Sequence, residues 1–164
     1  MTAVEAPKTT SAGPQVLPLT VHAYHGLGAM GLIPERTELL YGQVFQKISK
    51  SPFHSFLSEY LQDLLRAAAL PGRHVRGEEP LTIGNSEPEP DVGVVRGARE
   101  DYRQAHPTTA EFLIEVCVTT HDFDRTKLRA YASAGVKEVW LVLGPEKQIE
   151  VYREHSGSGS PLPA

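Results

Sequence analysis

The chain has 164 residues, is 40% apolar and 22% charged, and carries a formal net charge of −4. That length suits one domain around a single core, and the acidic balance argues against a protein whose main task is to coat nucleic acid. No apolar run approaches a membrane span, and residues 1–20 lack the basic start and apolar stretch of a signal peptide, so no membrane association is expected. Cys117 is the only cysteine. An intrachain disulfide is therefore impossible, and a reducing cytoplasm is the natural setting.

In chain order, residues 1–19 are rich in Thr, Ser, Ala, Pro and Gly without periodicity and read as a disordered tail. Thr20 to Leu32 is expected to be a short helix, weakened by Gly26, Gly28 and Gly31. Thr37–Tyr41 and Gln43–Ile48 read as a hairpin turning at Gly42. Ser51-Pro52 opens the most secure helix, a capping serine before a proline at the first helical position. Phe53, Phe56, Leu57, Tyr60, Leu61, Leu64, Leu65 and Ala68 follow at helical spacing until Pro71-Gly72.

Val75 to Ile83 reads as a strand interrupted at Pro80, hence an edge or bent strand. Val92–Val95 and Glu111–Val118 have the continuous apolar character of a sheet centre. A helix over Asp124–Ala134 stops at Gly135, and Glu138–Leu143 with Gln148–Arg153 forms a closing hairpin. Residues 154–164 read as a second disordered tail. The folded part, 20–153, is thus a mixed α/β (α+β) domain with a central mixed sheet flanked by helices. Its strand–helix–strand unit from Glu111 to Leu143 calls for a right-handed crossover.

Two carboxylates stand out. Glu115 interrupts an apolar strand, on the face of Leu113 and Cys117, where an unpaired carboxylate is costly. Asp91 follows Glu87-Pro88-Glu89-Pro90, a stretch whose prolines restrict the chain and fix where it points. If the two strands are neighbours, both carboxylates converge on one hard cation, completed by water and the backbone carbonyl of Val116. That ligand set suits magnesium, with manganese as a substitute. Such a cation activates a bound water and stabilises a scissile phosphate. Lys127, near the start of the next helix, can orient that water or the phosphate.

Each residue also has a plainer reading: Asp91 as a turn residue, Glu115 in a buried ion pair with Lys127 or an arginine, and Lys127, Glu38 and His54 as solvated side chains. His22/His25 and Cys117/His121 lack the further ligands of a structural zinc site. The chain also has no glycine-rich phosphate loop and no Gly-x-Ser-x-Gly turn. Cys117, inside an apolar strand, reads as a core thiol.

Taken in order, Glu38-Leu-Leu-Tyr-Gly42, Ser51-Pro-Phe-His54, Glu87-Pro-Glu-Pro-Asp91-Val, Leu113-Ile-Glu115-Val, Asp124-Arg-Thr-Lys127 with Tyr131, and Gly135-Val-Lys-Glu138-Val-Trp140 resemble the Uma family. That family belongs to the restriction-endonuclease-like PD-(D/E)XK superfamily. The resemblance covers roughly residues 20–153. It implies a restriction-endonuclease-like sheet and a magnesium-dependent DNA endonuclease, with Asp91 and Glu115 as the acidic motif residues. The superfamily lysine, two residues after the second acid, is replaced here by Cys117. The resemblance makes Lys127 the displaced lysine, Glu38 a further acidic member and His54 an outlying one. The competing expectation is a non-catalytic interaction or nucleic-acid-binding module that keeps the fold. Cys117 at the lysine position and the acidic net charge favour that alternative. A homodimer through the closing hairpin is also expected.

Overall fold

A computed structural model describes residues 15–68, 70–119 and 121–153. The tail readings for 1–14 and 154–164 lie outside the described residues. Helix α1 spans Val21–Ala29, with the Thr20 hydroxyl accepting from the Ala23 N–H at 3.1 Å. Strands β1 (Thr37–Leu40) and β2 (Gln43–Gln46) form a separate two-stranded ladder. Tyr41 and Gly42, at φ 53° and 76°, make the turn, as a two-residue hairpin of primed type requires. Gly42 is needed for a second reason, since a Cβ there would meet Pro18 at 2.3 Å.

Helix α2 (Pro52–Ala67) starts where Ser51 caps the His54 N–H at 3.2 Å. Strands β3 (Arg73–Gly77), β4 (Val92–Arg96), β5 (Phe112–Cys117), β6 (Glu138–Leu143) and β7 (Gln148–Arg153) form one sheet in sequence order. Every pairing is antiparallel except β5–β6, which is parallel across helix α3 (His121–Ser133). Gly135, at φ 69°, ends α3, and the Val136 N–H returns to the Tyr131 carbonyl at 3.1 Å.

Strand alternation sorts the core into two layers. Leu113, Cys117, Val139, Leu141 and Leu143 meet Leu128 and Tyr131 of α3. Val92, Ile114 and Val116 meet Leu57, Leu61 and Leu65 of α2. Two expectations need correction. The strand expected over 75–83 ends at Gly77, because Glu78 takes φ 54° and Pro80 follows. Residues 78–91 instead form a loop stitched to β1 by the Leu39–Glu87 bridge. Helix α3, expected from Asp124, begins one turn earlier at His121. On α2, Phe53, Phe56, Tyr60 and Leu64 remain exposed.

Candidate active site

The β4–β5 ladder ends at the Val92–Ile114 pair. One step further, its register would set Asp91 opposite Glu115. The backbones do not pair there. The Asp91 carboxylate takes the ladder's place, its Oδ2 accepting from the Val116 N–H at 2.7 Å. Its Oδ1 accepts from Lys50 Nζ at 2.6 Å, and His54 Nε2 lies 3.3 Å from Oδ2. His54 Nδ1 is buried with no hydrogen-bond partner. Lys50 bridges on to Glu78 at 2.8 Å.

On the other side of the strand end, Glu115 is buried on the α3 face. The Tyr131 hydroxyl donates to its Oε1. Lys127 Nζ sits 3.4 Å from the same oxygen, 3.3 Å from Glu38 Oε2 and 3.8 Å from Asp124 Oδ1. Glu38 is carried there by the hairpin. Tyr41 OH donates to the Thr126 carbonyl at 2.6 Å and accepts from the Ala130 N–H at 3.1 Å, and Phe45 packs on Phe123. These contacts fasten the β1–β2 turn to α3. Asp91, Glu115, Lys127, Glu38 and Asp124 border one cleft of about 510 Å³, together with His54, Lys50 and Glu89.

The electrostatics follow from burial. Asp91 would be raised by desolvation, but its hydrogen bond to His54 and the Lys50 charge outweigh that and hold it at about 2. Glu115 goes the other way: burial lifts it to about 8, Lys127 only partly opposes this, and Asp91 and Asp124 add to it. Lys127 is disfavoured as a cation by burial, yet Glu115, Glu38 and Asp124 together raise its pKa. Glu38 and Asp124 stand beside Lys127 independently of Glu115, so the ammonium keeps acidic partners whichever form Glu115 takes. The Cys117 thiol is driven up by burial, as befits a core residue rather than a nucleophile.

The site residues expected from sequence therefore border one cleft. Val116, expected to contribute its backbone carbonyl, engages Asp91 through its N–H. Glu115 pairs with Lys127, and its other side-chain partner is the Tyr131 hydroxyl. Sequence reasoning missed Lys50, whose loop position carries no pattern, and gave no role to Asp124 or Tyr131. The i, i+3 and i, i+4 spacing of Asp124, Lys127 and Tyr131 on α3 was the available signal. Four hard carboxylates (Glu38, Asp91, Glu115, Asp124) facing the cleft suit a hard dication in donor chemistry. As they stand, no three His, Cys, Asp or Glu among the described residues are gathered to hold a metal ion.

A crystal structure described as "a putative nuclease belonging to DUF820 from Anabaena variabilis ATCC 29413" matches with a TM-score of 0.58 at 18% identity, covering 84% of this chain and 88% of that one. The two chains thus share one α+β fold. The family described as "Uma2: Putative restriction endonuclease" matches residues 32–164, and the chain belongs to that family. No curated protein matches it.

Proposed function

We propose that this domain is a magnesium-dependent endonuclease, with manganese as a substitute, that hydrolyses phosphodiester bonds of DNA in the cytoplasm. The observation that carries the reading is the Lys127 ammonium, buried among Glu115, Glu38 and Asp124 at the open end of the β4–β5 ladder. An expensive charge cluster is placed where a cleft gives a substrate access. Asp91 and Glu115 are the proposed metal ligands, with the Val116 carbonyl beside them. When bound, a dication would lower the pKa of a water and offset charge on the scissile phosphate.

The chain's own groups do the rest. Lys50 and His54 keep Asp91 ionised and aimed at the end of β5. Tyr131 fixes Glu115 from the core side, and loading the site requires Glu115 to release its proton. Lys127 stays positive throughout and is positioned to steady an attacking water or a phosphate oxygen. Glu38 holds Lys127 from the hairpin side.

A second reading, a nuclease-fold module without cleavage, is favoured by one observation. Glu115 is already satisfied by the Tyr131 hydroxyl and the Lys127 ammonium, with no metal ion needed. Magnesium and manganese titrations of the wild type and Glu115→Ala by calorimetry, followed by nicking of supercoiled plasmid, separate the two. Binding and nicking lost together in the variant support the enzyme. Absence of both in the wild type supports the module.

A further inference from the structure

Helix α2 lies over β3, β4 and β5. Its Gln62 side abuts Gly77 on β3, while Phe53 and Leu57 approach Gly144 at the end of β6. The flank bearing Phe53, Phe56, Tyr60 and Leu64 therefore looks across the remaining strands. Register shows what it looks across. Ile114 and Val116 pair with Trp140 and Val142, which pair with Val151 and Ile149, and directly paired residues share a face. The α2 side of the sheet thus continues past the helix, and Ile149 and Val151 on it are exposed. The result is an apolar groove with a helix flank as one wall and, as its floor, half-buried Trp140 and Val142 of β6 beside exposed Ile149 and Val151 of β7.

Phe56 is 62% exposed, Tyr60 54% and Ile149 49%. With about 150–250 Å² per aromatic ring residue, the six exposed apolar residues present on the order of 500–600 Å². That reaches the upper end of what a monomer's surface shows, and a polar rim brings it to the roughly 800 Å² per partner of a stable interface. We propose that a second copy of this chain covers the groove, each α2 flank seated against its partner's α2 and β6–β7 face about a two-fold axis. The groove lacks a helix over its floor and a floor under its helix, and a second copy supplies both. His54, next to Phe53 on α2, borders the cleft, so the interface fixes one cleft relative to the other. On the proposed nuclease reading, on which this consequence rests, the pair addresses the two strands of a duplex.

The test is the mass in solution at about 100 μM, above the dissociation constants typical of standard interfaces. Light scattering would be run on wild type, Phe56→Glu/Tyr60→Glu and Val151→Lys, with circular dichroism and cooperative unfolding as the folding control. A wild-type dimer that becomes monomeric in either folded variant is the expected result. A wild-type monomer, or a dimer that survives both substitutions, would overturn the proposal. Neither measurement involves metal or DNA, so its failure is separate from failure of the nuclease reading.

Discussion

Replacing Glu115 with glutamine removes a proton-binding site that couples folding to pH. In the unfolded chain this carboxyl titrates near its ordinary 4.5, and in the folded protein burial lifts it to about 8. Between those values the folded state holds one proton more than the unfolded state. The stability this contributes is fully present below pH 4.5 and is lost as pH rises through 8. Each pH unit is worth about 1.4 kcal/mol, so the full interval removes about 5 kcal/mol from the wild type. Glutamine cannot ionise, while Lys127 keeps Glu38 and Asp124 as partners. Urea unfolding of both proteins in chelator, from pH 5 to 8 at fixed ionic strength, isolates the effect by difference. The wild type should lose several kcal/mol relative to the variant across that range. A difference that stays constant, or that grows in favour of the wild type, would refute the burial argument.

Other outcomes follow from the same cleft. Lys127→Met leaves Glu38, Glu115 and Asp124 without their shared cation and should cost about 3–5 kcal/mol in denaturant unfolding at pH 8. Asp91, held at about 2, contributes stability that is present above its ordinary 3.8 and lost as pH falls toward 2. Asp91→Asn should therefore flatten the acid limb of unfolding by about 2 kcal/mol between pH 4 and 2. Tyr41→Phe removes both hydrogen bonds that fasten the hairpin to α3, and a loss of about 1–3 kcal/mol should appear in thermal unfolding.

Much of this was readable in the chain. Ser51-Pro52 and the apolar period after it gave α2 its start and inner face, and the apolar run around Glu115 marked the central strand. Where burial is continuous, local pattern and fold agree. The loop from Glu78 to Pro90 was harder, because a single left-handed residue, Glu78, ends β3 in a run that still reads as strand. Helix α3 begins at His121, three residues before the expected start at Asp124. The outer stripe of α2 shares the period of its inner one, and periodicity alone cannot say which flank stays bare. Lys50 reaches Asp91 only through tertiary structure, across 41 positions of chain.

The most direct test of the central claim is divalent-metal-dependent cleavage of supercoiled plasmid by wild type and Glu115→Gln, the variant having first been shown to fold. The account predicts that magnesium or manganese supports nicking by the wild type and that the variant has none. Cleavage that persists in the variant, or a folded wild type that neither binds the metal nor nicks DNA, would contradict it.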